Sequence, residues 1–291
     1  MQLAEPCQDA SLPFIEILRH LERIGTPVPQ LVAYDQQAGI LLLEDLGDVT
    51  LQSFLHDTDR ETKRGLYKQA IDILLQIQIA GSKCQGQEPP AFRLYFDVEK
   101  FVWELEFFVE HMICGLLGQS VAARDLAALR SQFTALSTTL ASEPRVFTHR
   151  DYHSRNIMVH RARLRVLDFQ DARMGLCQYD LASLLRDSYV TLEEDLIQEL
   201  IGYYITHKEV REGSQIDPKR FCRLFDLTAV QRNLKAVGTF SYQMVGKGNP
   251  AYLDYIRPTL RYVRENISRH PELDGLGNLL SKYLATPYSF D

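Results

Sequence analysis

The stretch that most constrains the fold lies between Val146 and Asp168. Val146-Phe147 leads into a charged run, His149-Arg150-Asp151-Tyr152-His153-Ser154-Arg155-Asn156. Ile157-Met158-Val159 leads out of it, and Leu164-Arg165-Val166-Leu167 then runs into Asp168. Short apolar segments bounded by polar clusters read as strands. The order is therefore strand, polar loop, strand, turn, strand, acid. It puts Asp151 and Asn156 on one loop and delivers Asp168 from the next hairpin. The plain structural alternative is a hairpin whose Asp and Asn serve only as turn residues.

Phosphoryl transfer needs such an arrangement. One carboxylate accepts the proton of the attacking hydroxyl, while an amide oxygen and a second carboxylate hold the Mg²⁺ that bridges the phosphates. Asp151 fits the base; Asn156 and Asp168 fit the metal ligands. Arg150 and Arg155 flank the run and either face phosphate oxygens or are surface charges. His149 is expected to hold the loop through hydrogen bonds, because His153 is the one nearby partner for a metal role. Asp171 either assists metal or substrate or sits in a solvated turn. Asp180 is expected to start a helix and tie down loop amides, with a catalytic role as the alternative.

Upstream, Ser11 to Ile24 reads as an amphipathic helix with Ser11 as N-cap, Pro13 in its first turn and Gly25 after its end. Leu31-Val32-Ala33-Tyr34 and a buried Gly39–Glu44 segment read as strands. Asp45-Leu46-Gly47-Asp48 breaks the pattern like a hinge, and Thr50 caps a short helix. Helical periodicity dominates from Arg60, with helices over Phe96–Leu117 and Leu126–Leu140. After Asp180 helices follow at 180–188, 192–207, 217–245, 251–268 and 276–284. Glu106 and Glu110 share a helical face that could line an acidic pocket, although a solvated face is the simpler reading. Trp103 is expected in the core, and Arg232 with Lys235 is ambiguous.

A chain of 291 residues with 45% apolar content can bury one large domain or two lobes. The formal net charge of −6 argues against a nucleic-acid or anionic-membrane coat. No run approaches a membrane span and the N-terminus lacks a secretory pattern. Five scattered cysteines without zinc or redox spacing are expected to be reduced and mostly buried, so the protein is expected in the cytoplasm. No nucleic-acid, membrane or protein partner is expected.

His149-x-Asp151-x-x-x-x-Asn156, Leu167-Asp168-Phe169 and Tyr179-Asp180-Leu181-Ala182 together resemble the aminoglycoside phosphotransferase family of small-molecule kinases. Within it, Leu42-Leu43-Glu44-Asp45-Leu46-Gly47, Leu167-Asp168-Phe169-Gln170-Asp171-Ala172 and Gln231-Arg232-Asn233-Leu234-Lys235 are similar to the bacterial anomeric kinases of N-acetylmuramate and N-acetylglucosamine, which recycle cell-wall sugars. The resemblance implies an α+β, protein-kinase-like two-lobed fold. It also implies ATP and Mg²⁺ as cofactors, a small sugar as acceptor, and backbone groups of Glu44, Asp45 and Leu46 at the adenine. Residues 1–47 would be a truncated N-terminal lobe and 48–291 a large helical lobe carrying the catalytic hairpin region 146–168. Only twelve positions separate Asp168 from Asp180 (180 − 168 = 12), too few for a regulated activation loop. The family's glycine-rich hairpin and lysine-bearing third strand have no counterpart before Ser11. Either Met1 is an internal start or the chain is a catalytically impaired binding protein; the intact acids favour the first. An aminoglycoside or amino-alcohol kinase is the alternative activity.

Overall fold

The computed structural model describes residues 12–84, 88–284 and 288. Ser11, Cys7 and the Met1–Pro6 segment lie outside the described residues. Leu12, in extended backbone, precedes α1 (Pro13–Arg23), and proline's fixed φ suits this first turn. Ile17, Leu18 and Leu21 on α1 are fully buried. Gly25, at φ 76°, turns the chain out of the helix. β1 (Leu31–Asp35) then pairs antiparallel with β2 (Ile40–Leu43). The expectation of a buried second strand is corrected: Leu41 is covered, but Ile40 is 47% and Leu42 56% exposed. Side chains alternate across a strand, and this two-stranded ribbon has one covered face.

Thr50 caps α2 (Leu51–Phe54) by accepting the Ser53 N–H at 3.1 Å, and Asp59 caps α3 (Arg60–Ile79). Asp97 caps α4 (Val98–Phe108), which runs directly into a π-helical segment, Val109–Leu116. α5 (Ala123–Ala141) leads into β3 (Arg145–Thr148). β4 (Ile157–His160) and β5 (Arg163–Val166) form the expected hairpin. β6 (Arg173–Leu176), not foreseen from its mixed composition, pairs with β3. α6 (Gln178–Leu185), α7 (Glu194–Glu212), α8 (Pro218–Lys247), α9 (Ile256–Ile267) and α10 (Asp274–Tyr283) complete an α+β chain dominated by helices. Among the described residues no helix is long and apolar enough to cross a membrane.

The chain divides into two compact units. One comprises Met1–Leu94, Val146–Met174 and Gln198–Gln215; the other comprises Tyr95–Arg145, Gly175–Ile197 and Ile216–Asp291. In the first unit α3 buries Leu66, Tyr67, Ala70, Ile71 and Leu74, and the Phe14 and Phe169 rings stack at 5.0 Å. In the second, Phe101, Leu105 and Phe108 of α4 join Leu227, Val230, Leu234 and Val237 of α8 in one apolar core.

Two expectations about side chains are corrected. Trp103 is 52% exposed, because it lies on the outer face of α4 with the Lys100 ammonium 3.9 Å from its ring centre. The thiols of the described residues are not mostly buried: Cys84 and Cys114 are exposed, and Cys177 and Cys222 half-buried.

Candidate active site

The register of the β4–β5 hairpin brings the acids together. Ile157 faces Val166 and His160 faces Arg163, so the turn holds just Arg161 and Ala162. Both adopt positive φ, 50° and 60°, as a tight hairpin turn with the right twist demands. The Leu167 N–H donates to the Asn156 carbonyl at 2.9 Å, adding one rung beyond the named strands. Asn156 and Asp168 therefore leave the hairpin side by side. The Asn156 Nδ2 donates to Asp168 Oδ2 at 3.1 Å and to the Asp151 backbone carbonyl at 2.9 Å.

The loop is folded onto itself. The Asp151 carbonyl also accepts the His153 N–H at 3.1 Å, and the His153 carbonyl accepts the Asn156 N–H at 2.9 Å. Arg150 has φ 82° and Asp168 φ 62°. Left-handed backbone is tolerable for Asp but costly for Arg. Such strain on either side of the loop persists only where surrounding contacts fix it.

Those contacts are identifiable. Tyr152 is fully buried, and its hydroxyl donates to the Ala70 carbonyl of α3 at 2.7 Å. His149 is buried, with Nε2 2.8 Å from the Leu167 carbonyl. A carbonyl only accepts, so Nε2 carries the proton. Burial pushes the His149 pKa below its ordinary value, against the opposing pull of Asp151, the Leu167 carbonyl and Asp168. His149 is thus a neutral brace for the loop, as its position suggested.

Arg150 and Asp171, both open in the sequence reading, form an ion pair with each other at 3.0 Å. Arg155 donates from Nε to Gln52 Oε1 of α2 at 2.8 Å. Gln170 was not singled out, yet its Nε2 donates to Asp168 Oδ1 at 2.7 Å, so both carboxylate oxygens of Asp168 receive an amide. In the second unit Asp180 is fully buried in the first turn of α6, where an acid complements the helix dipole. There too, Glu106 pairs with Arg130 at 2.5 Å and Glu110 is largely exposed, so the two do not form an acidic pocket.

Past the β1–β2 ribbon, Glu44 makes two hydrogen bonds with the Gln30 backbone: its N–H donates to the Gln30 carbonyl at 2.8 Å, and its side-chain Oε2 accepts the Gln30 N–H at 3.1 Å. Arg165 of β5 also pairs with Glu44. The Gln30 amide, first among several causes, holds the Glu44 carboxyl below its usual pKa. Asp45 Oδ1 accepts the Gly47 N–H at 2.8 Å, fixing a tight turn at Gly47 (φ 73°). The Leu46 carbonyl accepts from His160 Nδ1 at 3.0 Å.

The chemistry of the donor set suits Mg²⁺, a hard cation that takes oxygen ligands from one or two carboxylates plus substrate phosphates. Asp168 supplies the carboxylate. Because Asn156 commits its nitrogen to two acceptors, its Oδ1 is the atom available to a cation.

Residues 3–213 match the phosphotransferase enzyme family. The chain is 33% identical over 283 residues to the N-acetylmuramate/N-acetylglucosamine kinase of Pseudomonas aeruginosa, covering 96% of this chain and 80% of that one. It is 31% identical over 281 residues to the enzyme of the same name from Neisseria meningitidis, covering 95% and 81%. Among solved structures, choline kinase LicA from Streptococcus pneumoniae superposes with a TM-score of 0.58 at 15% identity, over 87% of this chain and 80% of that one. The ADP-bound aminoglycoside phosphotransferase APH(2'')-Ib superposes with 0.57 at 16% identity, over 87% and 82%. These two likenesses establish the kinase-like fold.

Proposed function

The chain belongs to the phosphotransferase enzyme family, and from that premise we propose that it moves the terminal phosphate of ATP to the anomeric hydroxyl of N-acetylmuramate or N-acetylglucosamine. The observation that carries the reading is the Asn156 side-chain amide, which ties Asp151 and Asp168 into one assembly. The acceptor follows from two relatives above 30% identity that share this specificity in their names.

Each residue then has a task. Asp151 accepts the proton of the sugar hydroxyl and aims it at the phosphorus. Asn156 Oδ1 and the Asp168 carboxylate hold Mg²⁺, which when bound neutralises charge on the phosphates. Gln170 and Asn156 fix the Asp168 carboxylate so that it meets the ion without rearranging. His149, neutral and buried, and Tyr152 hold the loop, Arg155 supports it, and Asp180 supports the start of α6.

Adenine is read at 44–46. The Glu44 N–H and the Leu46 carbonyl are committed to Gln30 and His160. The Glu44 carbonyl and the Leu46 N–H are therefore the acceptor and donor offered to the base. Asp45 shapes the turn between them. The test is a product assay with both sugars and ATP, in which a new anomeric sugar phosphate supports the reading and transfer to neither sugar refutes it.

A further inference from the structure

The segment that carries Asp151 leaves β3 beside the segment that runs from Asp168 into β6. Thr148, the last residue of β3, donates its hydroxyl to the carbonyl of Arg173, the first residue of β6, at 2.6 Å. Arg150 comes two residues after Thr148, and Asp171 two residues before Arg173. The side chains of Arg150 and Asp171 meet at 3.0 Å. Their ion pair therefore closes the end of the β3–β6 pairing, at the point where the two segments part. All four residues belong to the first unit.

Arg150 sits at φ 82°. Glycine is the residue that fills left-handed backbone at least cost, because it has no Cβ to crowd the carbonyl. An arginine there is explained by what its side chain meets rather than by the bend. Global stability is a poor explanation, because the Asp171 carboxylate is 61% exposed and such a pair adds little to it. The local effect is more specific. Arg150 immediately precedes Asp151, and Asp171 follows Asp168 by three residues. On the hairpin side, Asn156 already joins the Asp151 carbonyl to the Asp168 carboxylate. The two segments are thus tied twice, once by Asn156 and once by Arg150 with Asp171.

We propose that Arg150 and Asp171 are positioning residues for the phosphoryl transfer: their ion pair holds the strained backbone at Arg150, and with it the direction in which Asp151 presents its carboxylate. The inference rests on the reading of Asp151 as the base. Both residues act through Asp151 and not on the phosphates or the acceptor. Each acts only through the other, so losing one is equivalent to losing both.

The experiment measures kcat, the KM for ATP and the melting temperature in the wild type, R150G, D171N and the double variant, with N-acetylmuramate and N-acetylglucosamine as acceptors. Glycine suits the backbone at this position, which offsets the loss of an exposed ion pair, so R150G is expected to melt close to the wild type. Its kcat is nonetheless expected to fall about tenfold, short of the ~100-fold that a displaced catalytic group can cost, with the KM for ATP unchanged. D171N is expected to match it, and the double variant to lose no more than either single one. A kcat within about twofold of the wild type in either single variant overturns the proposal. So do losses that multiply in the double variant, a raised KM for ATP, or a melting temperature of R150G that falls in step with kcat. If R150G does not fold, D171N, which keeps the shape of the side chain, is judged by the same kcat and KM criteria. Should the wild type phosphorylate neither sugar, the amino-sugar reading fails by itself. The pair is then judged by hydrogen exchange at the His153 and Asn156 amides, whose bonds fold the loop onto itself. Faster exchange in D171N supports the proposal, and exchange as slow as in the wild type overturns it.

Discussion

Asn156 donates its side-chain amide to Asp168 Oδ2 across 3.1 Å, and the same nitrogen holds the Asp151 backbone carbonyl at 2.9 Å. One side chain therefore sets the spacing between Asp151, proposed to activate the hydroxyl, and Asp168, proposed to bind the metal. It does so from the residue just before β4, where the hairpin register leaves little freedom.

Replacing Asn156 with Ala removes both ties and the oxygen offered to the ion. Activity is expected to fall at least 100-fold, since a misplaced catalytic group costs on that order, and the Mg²⁺ concentration for half-maximal activity is expected to rise. Titrating activity against Mg²⁺ checks this. An unchanged metal dependence would remove Asn156 from the site.

Asp151→Asn keeps the shape of the loop but cannot take a proton. The expected loss in kcat is about 10²–10⁴-fold, with the affinity for Mg²⁺-nucleotide, measured by calorimetry, little altered. Turnover within tenfold of the wild type contradicts the assignment.

The geometry of the candidate site was legible because its loop is local in sequence. Its acids flank one hairpin, and alternation of apolar and polar residues specifies a hairpin's register. Helix starts were legible at Thr50, where the N-cap chemistry is written in a single residue. What escaped depends on partners distant in the chain. The anchoring of Tyr152 on Ala70 and of Glu44 on Arg165 joins residues whose proximity no local pattern announces. The widening of a long apolar helix into a π-helical turn at Val109–Leu116 shifts which side chains face the core. A continuous 3.6 period through Phe96–Leu117 misses that shift. Arg232 was ambiguous for the same reason, because the Ser183 hydroxyl of α6 that accepts from it is distant in the chain.

Tyr152→Phe deletes one buried hydrogen bond without opening a cavity. Unfolding free energy is expected to drop by about 0.5–1.5 kcal/mol, read from denaturant midpoints at constant m-value. A variant as stable as the wild type would show that the Ala70 carbonyl loses nothing.

His149 makes stability depend on pH with a definite sign. Burial holds its folded pKa below the ordinary 6.5. As pH falls below about 6.5 the unfolded chain takes up a proton that the folded chain refuses, so the unfolded state gains. The contribution is intact above the unfolded pKa and is lost as pH descends toward the folded one. His149→Gln cannot titrate. The stability difference, wild type minus variant, is expected to shrink from pH 7.5 to 5.5, by at most about 1.4 kcal/mol per pH unit. A difference independent of pH would mean that folding does not shift the His149 pKa, and one that grows toward low pH would mean that the fold holds His149 protonated.

The most direct measurement is the identity of the phosphorylated product. The protein is incubated with ATP, Mg²⁺ and N-acetylglucosamine or N-acetylmuramate, and the mixture is followed by phosphorus NMR before and after mild acid. The predicted outcome is an acid-labile, non-reducing anomeric phosphate that Asp151→Asn fails to form. A stable 6-phosphate that keeps its reducing end, or transfer to aminoglycosides alone, would contradict it.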